Sequence, residues 1–375
     1  MTAFTFLHSS DLHLGKGFGR MPQDLRGRLI EARHEVLSTL AKVARAHGAG
    51  HVLLAGDTFD TTGPSEQVRR QAATAMRAAD DLHWWILPGN HDSLGGEELW
   101  ARFQDEAGDN VHVLSRAAPV AMAPGVHLLP SPWPHRFPGR DLTAWMVDCA
   151  TPPEDLRIGL AHGGVVDFGD NFDSSATIPP DRDKTARLDY LALGDWHGPL
   201  SIGPRAQFSG SPERDRFRHA GRGSCHVVTL DAPGVLPRIE QVVTGRFHWG
   251  APTLSLTPGQ DVTSAFEALL PSDRGARRDQ LLKPRLQGFL RLSERAALET
   301  AIAEACPDFA LLEVEQGELA TEYEAGDIDE IAPSGALREA VDALFAEATA
   351  EGGDTETAEL AQAALNRLWS LVREV

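Results

Sequence analysis

The feature that most constrains the fold is an alternation of short apolar runs and helical patterns in the first 250 residues. Five apolar runs, bounded by polar residues, Gly or Pro, predict buried strands over residues 4–8, 51–55, 84–87, 157–161 and 190–193. Apolar residues at helical spacing predict helices over residues 25–46 and 65–82. This β-α-β-α-β order predicts an α/β fold, followed by a hairpin over residues 225–230 and 238–243.

The pattern changes near residue 250. Residues 285–292 and 309–314 are typical of strands, with a helix expected between them over residues 294–305. Two helices follow, and Ser334 is the expected N-cap of the first. We therefore expect a main domain over residues 1–250, a small α+β domain over 251–333 and terminal helices over 334–375.

The charge of the chain limits what it can bind. The formal net charge is −19, and residues 251–375 hold 10 Lys and Arg against 24 Asp and Glu. Affinity for nucleic acid comes largely from cationic groups that displace counterions from phosphate. Any binding of nucleic acid therefore has to depend on bound cations and local basic patches.

The sequence predicts a cytoplasmic protein that does not enter a membrane. No apolar run approaches the roughly 20 residues that a bilayer requires. The first residues carry no basic segment ahead of an apolar stretch, as a secretory signal would. The cysteines, at positions 149, 225 and 306, are odd in number and widely spaced, which favours free thiols.

Side chains that commonly bind metals follow all five predicted strands. They are Asp11, His13, Asp57, Asn90, His91, Asp92, His162, Asp195 and His197. Because the carboxyl ends of strands in an open α/β sheet face one crevice, we expect these groups to meet at a single rim. Each short motif alone is commonly a solvated turn, but their joint arrival predicts a metal centre. The mixture of oxygen and nitrogen donors suits manganese, iron or zinc better than calcium or magnesium.

These motifs resemble the signature of the calcineurin-like metallophosphoesterase superfamily, which is Asp-x-His, Gly-Asp, Gly-Asn-His-Asp, a lone His and Gly-His-x-His. Within it, Ser-Ser-Asp-Leu-His-Leu-Gly-Lys and Phe-Ser-Gly-Ser-Pro-Glu-Arg are most similar to the SbcD-type DNA repair nucleases. The resemblance implies a calcineurin-like sandwich, a small capping domain and C-terminal helices that dock on an SbcC-like, SMC-type ATPase. One position departs from the pattern, because Asp195 stands where the family has histidine. A carboxylate is a harder donor and favours manganese or iron over zinc.

The resemblance also assigns roles in a centre with two divalent metal ions, for which we expect manganese, with iron or zinc left open. One metal is held by Asp11, His13, Asp57 and His197. The other is held by Asp57, Asn90, His162 and Asp195. Asp57 bridges the pair, because two cations about 3.5–4 Å apart repel each other without a shared anion.

Two residues beside the ligands are predicted to serve catalysis. His91 is expected to stabilise the transition state or to protonate the leaving oxygen. Asp92 is expected to orient His91 or to support the turn that carries it.

Basic residues suggest where DNA would be contacted. Lys16 and Arg20 follow the first motif, and Arg274, Arg277 and Arg278 form the densest basic cluster of the acidic half. A solvated loop or face explains each set equally well.

These observations favour a manganese-dependent DNA nuclease that hydrolyses phosphodiester bonds with two metals, in DNA repair. One alternative is a metal-dependent phosphodiesterase or phosphatase for a small-molecule or protein substrate. Another is a non-catalytic scaffold whose site is spoiled by Asp195. Sequence leaves open whether the chain forms a homodimer, and whether the terminal helices cover its own domain or a partner.

Overall fold

The protein divides into two compact units, Met1–His248 and Trp249–Val375. The structure is a computed structural model that describes residues 3–165, 177–322, 329, 331–332, 334–350 and 355–373. Residue 333, where we predict the small domain to end, lies outside the described residues. The second unit contains elements from both sides of that position.

The first unit contains alternating strands and helices. Its strands are β1 Phe4–Ser9, β2 His51–Ala55, β3 His83–Leu87, β4 Val111–Val113, β5 Val120–Ala123, β6 Val126–Ser131, β7 Leu156–His162, β8 Tyr190–Gly194, β9 Leu200–Ser201, β10 Ala206–Phe208, β11 Ser224–Leu230 and β12 Arg238–Val243. Its helices are α1 Gln23–Ala46, α2 Glu66–Arg77, α3 Glu97–Glu106, α4 Arg182–Thr185 and a 3₁₀ turn at Ala144–Met146.

The strands form two six-stranded sheets that pack face to face. The first sheet has the order β12-β11-β1-β2-β3-β4, and the second has the order β5-β6-β7-β8-β10-β9. Between them lies an apolar core that includes Phe6, Leu53, Leu160 and Tyr190. Helices α1, α2 and α3 cover the other face of the first sheet, and a second apolar core, which includes Val36, lies between them and that face. The result is a layered α/β sandwich.

Residues at the ends of α1 and α2 explain where these helices begin and end. In α1 an apolar stripe that includes Leu29, Val36 and Leu40 is buried. The chain leaves this helix through Gly48, whose φ of 66° lies in the left-handed region that glycine adopts at little cost. At the start of α2, the hydroxyl of Ser65 accepts a hydrogen bond from the N–H of Val68 at 3.3 Å.

The structure confirms the predicted α/β sandwich, and the strands that carry the candidate ligands are divided between its two sheets. Strands β1, β2 and β3 belong to the first sheet, whereas β7 and β8 belong to the second. The reason is burial: helices cover one face of the first sheet, and its other apolar face is removed from water by the second sheet. The ligand-type residues therefore reach their site from two sheets.

The second unit combines two small sheets with helices. Its strands are β13 His248–Gly250, β14 Thr253–Leu256, β15 Gln280–Leu282, β16 Arg285–Arg291, β17 Leu311–Leu312 and β18 Glu315–Glu322. Its helices are α5 Val262–Glu267, α6 Arg274–Arg277, α7 Leu292–Ala305, α8 Ala336–Ala348, α9 Thr355–Arg373 and a 3₁₀ turn at Cys306–Asp308. The sheet orders are β13-β15-β17 and β14-β16-β18.

The two terminal helices pack on this unit. Val341 of α8 and Leu365 and Trp369 of α9 are buried together with Leu292 at the start of α7. The prediction that Ser334 caps α8 is wrong, because the N-cap residue is Gly335, with a φ of 84°. Ser334 therefore lies one residue too early to cap the helix.

None of the helices in the described part of the chain combines the length and the apolar character needed to cross a bilayer.

Candidate metal centre

Seven predicted ligands converge where the two sheets meet. Asp11 and His13 follow β1, Asp57 follows β2, and Asn90 follows β3. From the other sheet, His162 ends β7, and Asp195 and His197 follow β8. Three overlapping groups have ligand atoms close enough to share a cation: Asp11–His13–His197, Asp11–Asp57–His162 and His13–Asp60–His91. The sequence therefore identified the residues correctly as neighbours.

The backbone at several of these residues is held in a costly conformation. Asp11, His13, Asp57 and Asp195 have φ values of 55°, 45°, 53° and 102°, in the left-handed region that non-glycine residues seldom occupy. Each such residue costs about 1–3 kcal/mol and persists only where the surroundings enforce it. Strain at four predicted ligands indicates that the fold enforces this arrangement of polar side chains.

Glycines make room for the donors. A Cβ atom at Gly89 would collide with the carboxylate of Asp57, and one at Gly194 would collide with the carbonyl oxygen of Ala55. The motifs Gly-Asn and Gly-Asp therefore require glycine for space at these two positions.

One half of the centre surrounds His162. Its Nδ1 lies 2.8 Å from the carbonyl oxygen of Ala55, so Nδ1 donates a proton and Nε2 is left with a lone pair when the ring is neutral. Nε2 lies 3.0 Å from Asn90 Oδ1, 3.5 Å from Asp57 Oδ2 and 3.7 Å from Asp195 Oδ1. Four acceptor atoms facing one point fit a cation.

The other half contains two nearly stacked imidazoles. The rings of His13 and His197 lie 5.0 Å apart, with His13 Nε2 3.7 Å from Asp57 Oδ2 and His197 Nε2 3.8 Å from Asp11 Oδ1. His13 is 1% exposed, and its Nε2 makes no hydrogen bond to any described residue. A buried polar atom without a partner is expensive. A metal ion at Nε2 would remove that cost, so the donor set fits two divalent cations.

The pKa values reflect the same concentration of charge. Burial opposes ionisation of Asp57, but His162 and His13 beside it hold the pKa of this carboxyl below its usual range. Burial also disfavours a charged His162, yet Asp57, Asp11 and Asp195 raise its pKa well above the usual value. The site thus attracts positive charge strongly, whether a proton or a metal ion supplies it.

Two carboxylates behind the predicted ligands were not predicted from the sequence. Asp60 Oδ1 lies 3.1 Å from His13 Nδ1, and Asp215 Oδ1 lies 3.2 Å from His197 Nδ1. Each contact directs the other ring nitrogen, Nε2, toward the centre. The spacing Asp-Thr-Phe-Asp could have indicated Asp60, but Asp215 stands in an arginine-rich run that is typical of internal ion pairs.

His91 lies beside the centre with one nitrogen anchored. Its Nδ1 is 2.9 Å from the carbonyl oxygen of Asp60, its ring meets that of His13 edge to face at 4.8 Å, and its backbone N–H donates to Asp57 Oδ1 at 3.0 Å. Nδ1 therefore carries the proton in the neutral ring, and Nε2 remains the atom that can meet a substrate.

Asp92 supports the turn. Its carboxylate accepts hydrogen bonds from the N–H groups of Phe59, at 2.9 Å, and Gly89, at 2.7 Å. Burial and the nearby Asp57 raise the pKa of Asp92 to about 7, against the lowering effect of those two bonds. Of the two roles expected for Asp92, the contacts favour supporting the turn over orienting the His91 ring.

The predicted DNA-contacting residues are in different environments. Lys16 Nζ lies 2.8 Å from Asp215 Oδ2 and 3.8 Å from Asp60 Oδ1, which places it at the edge of the metal centre. Arg20 and Arg278 are exposed. Arg274 is 73% exposed and lies 3.5 Å from Asp308.

The prediction for Arg277 is wrong. Its side chain is 4% exposed, it donates to the carbonyl oxygen of Pro271 at 2.9 Å, and it pairs with Glu267 at 3.1 Å. Burial within the second unit prevents a contact with a DNA backbone, because the guanidinium is already enclosed by its own acceptors. The basic cluster is therefore partly structural.

This finding leads to a stability prediction. Arg277→Ala is expected to lower the free energy of unfolding by about 2 kcal/mol, because charged hydrogen bonds in a buried position are lost. Arg274→Ala is the matched control and should change it by less than about 0.5 kcal/mol, since that side chain is exposed. Urea unfolding followed by circular dichroism measures both. Equal effects would show that Arg277 has no special structural role.

Comparison with known proteins gives an independent view of the chain. It matches the family described as calcineurin-like phosphoesterase over residues 4–222, which include all seven predicted ligands. It is 23% identical over 283 residues to the metallophosphoesterase YhaO of Bacillus subtilis (strain 168), which covers 71% of this chain and 67% of that protein.

Two further relatives are each named as the D component of the nuclease SbcCD. The one from Rhodobacter capsulatus is 29% identical over 359 residues, covering 81% of this chain and 84% of the relative. The one from Escherichia coli (strain K12) is 33% identical over 91 residues, covering 24% of this chain and 21% of the relative.

Proposed function

Because the chain belongs to the calcineurin-like phosphoesterase family, we propose that it is a manganese-dependent DNA nuclease that acts in DNA repair. Membership of the family shows that the chain is a metal-dependent phosphoesterase. We propose in addition that its substrate is DNA, that its metal is manganese and that it acts in DNA repair. The observation that carries it is the buried convergence of Asp11, His13, Asp57, His162 and His197 with Asn90 and Asp195.

The residues divide the work between holding metals and handling substrate. Asp11, His13, Asp57 and His197 would hold one ion, and Asp57, Asn90, His162 and Asp195 would hold the other. Such a pair of ions, when bound, activates water and neutralises phosphate charge. In its imidazolium form, His91 would give the proton on Nε2 to the leaving oxygen and become neutral, with Nδ1 still bonded to the carbonyl oxygen of Asp60. Asp92 holds the turn that carries His91.

Three observations support DNA as the substrate. The relative in Rhodobacter capsulatus, whose name is that of a nuclease component, aligns over most of both chains. Lys16 and Arg216 stand at the edge of the centre, with Arg216 Nη2 3.3 Å from His197 Nε2. Arg20 is exposed on the loop that follows the first motif. Cations at these positions would contact phosphates on either side of the bond that is cut.

The proposal is tested by offering different esters to the same manganese-loaded protein. Labelled single-stranded and double-stranded DNA should both be assayed, beside bis-p-nitrophenyl phosphate and p-nitrophenyl phosphate. We expect cleavage of DNA and of the diester. Cleavage of the small esters alone would reject the nuclease and support the phosphodiesterase or phosphatase alternative, which the acidic net charge favours. No hydrolysis of any ester would support the scaffold alternative.

We further propose that the second unit binds an SbcC-like ATPase of the SMC type. The relatives named as components of the nuclease SbcCD suggest such a partner. In α8 and α9, Leu337 is 45% exposed and Leu360 is 72% exposed, so these helices keep apolar side chains in solvent. This proposal is tested by copurifying an ATPase with the wild-type protein and, separately, with the double variant Leu337→Asp/Leu360→Asp. We expect the double variant to recover less of it. Equal recovery of the ATPase with the wild type and with the double variant would reject these helices as its binding surface.

Asp195 provides a test of metal preference. Asp195→His is expected to raise the affinity for zinc relative to manganese by about tenfold or more, because an imidazole replaces a hard anionic donor. Calorimetric titration of the metal-free proteins with each ion measures the ratio. Asp81→His, at an exposed position, is the control. An unchanged ratio in the Asp195 variant would mean that this residue does not bind metal.

A further inference from the structure

A second group of histidines lies far along the strands from the metal centre. His51 begins β2, His83 begins β3, and His112 is the middle residue of β4. The parallel register sets His51 beside His83 and Trp85 beside His112. His51 and His83 lie at the amino ends of β2 and β3, whose carboxyl ends lead to Asp57 and Asn90.

The closest contact in this group joins two imidazoles. His83 Nδ1 lies 3.2 Å from His112 Nε2. In the metal-free protein one proton is shared in an N–H···N hydrogen bond between them. Two nitrogen ligands on a tetrahedral zinc ion, each about 2.05 Å from the metal, are about 3.3 Å apart. A small rotation of the rings would let both lone pairs meet one cation in place of that proton.

The surroundings hold this pair in place. The indole of Trp85 stacks on His112 at 4.2 Å and donates to His51 Nδ1 at 3.1 Å. His51 in turn stacks on His83 at 5.2 Å. His83 is exposed and His112 is half-buried, so an ion from solvent can reach them. The rings are therefore ordered before any ion binds, which reduces the entropic cost of binding.

His112 and His51 are also in the neutral state that a metal requires of imidazole. Burial, followed by the neighbouring His83, lowers the pKa of His112. Burial and the two other histidines lower the pKa of His51 to about 4. His51 and His112 are thus neutral near pH 7, and neutral imidazole is the form that ligates.

We propose that His83 and His112 form a binding site for a borderline transition-metal ion, such as Ni²⁺, Cu²⁺ or Zn²⁺, that is separate from the catalytic centre. Imidazole nitrogens select these ions over manganese, whereas the catalytic centre is rich in carboxylates. Water completes the coordination. The ion links β3 to β4, which is the three-residue strand at the edge of the first sheet. It therefore stabilises the pairing of this edge strand with β3.

The probe is Ni²⁺, titrated calorimetrically into the manganese-saturated protein near pH 7.5. The wild type should bind one more Ni²⁺ than His83→Ala/His112→Ala. His135→Ala, which removes an exposed histidine elsewhere, should retain that ion. Equal stoichiometry in the wild type and the double variant would overturn the proposal.

A single substitution provides a second test in case the double variant does not fold. His83→Gln changes an exposed side chain, and it should weaken Ni²⁺ binding by roughly tenfold or more because one of two ligands is lost. Unchanged affinity would overturn the site. Both variants should hydrolyse bis-p-nitrophenyl phosphate at the wild-type rate with manganese, so failure of this inference leaves the proposed function untouched. Asp57→Asn should retain the additional Ni²⁺.

Discussion

Asp57→Asn is expected to lower ester hydrolysis by about 1000-fold, which corresponds to about 4 kcal/mol of lost transition-state stabilisation. Asp57 faces both halves of the centre, with Oδ2 3.5 Å from His162 Nε2 and 3.7 Å from His13 Nε2. The amide keeps the shape but removes the negative charge between two cations. Both metal positions should therefore lose affinity together.

Two measurements check this prediction. Mass spectrometry gives the metal content of the protein after equilibration with manganese, and hydrolysis of bis-p-nitrophenyl phosphate gives the rate. Asp81→Asn, which alters an exposed carboxylate, is the control and should bind and hydrolyse normally. Full occupancy of two ions in the Asp57 variant would contradict the bridging role. Loss of one ion alone would assign Asp57 to a single metal.

His91→Asn is expected to lower hydrolysis of DNA by about 100-fold to 1000-fold while both metals remain bound. In the proposed mechanism the side chain offers Nε2 to the substrate, whereas the contact with Asp57 is made by the backbone N–H, which the substitution preserves. Calorimetry with manganese should therefore give unchanged stoichiometry. Single-turnover cleavage of DNA measures the loss in rate.

The leaving group distinguishes the two roles considered for His91. A nitrophenolate leaves without a proton, whereas the deoxyribose oxygen of DNA needs one. If His91 donates that proton, its replacement should affect DNA cleavage at least about tenfold more than cleavage of bis-p-nitrophenyl phosphate. Equal losses would instead indicate stabilisation of charge on phosphorus. Normal activity on both substrates would contradict any catalytic role.

The sequence predicted the positions of the strands that carry ligands with little error. Residues 51–55 were predicted as a strand, and β2 occupies the same residues. This succeeded because buried strands in such a core are continuous apolar runs that end abruptly at Gly-Asp or Gly-Asn. The same regularity predicted the candidate ligands, since each lies at or shortly after the end of a strand.

Other features depend on contacts that adjacent residues do not reveal. The division into two sheets is decided by which apolar faces meet, and residues 107–150, which supply β4, β5 and β6, carry only short runs. Asp215 supports His197 across 18 positions of chain. Arg277 was misjudged because its burial arises from the folding of Glu267 and Pro271 around it. The periodicity of apolar residues does not indicate when a charged side chain is buried by residues distant in the sequence.

The origin of the donors in two sheets has a consequence for the timing of metal uptake. Asp11, His13, Asp57 and Asn90 are synthesised early, whereas His162, Asp195 and His197 emerge from the ribosome more than 70 residues later. A nascent chain that ends before β7 holds half a coordination shell and too few donors to discriminate between ions. Selection of the correct metal thus belongs to the finished polypeptide, after the late sheet has closed on the early one.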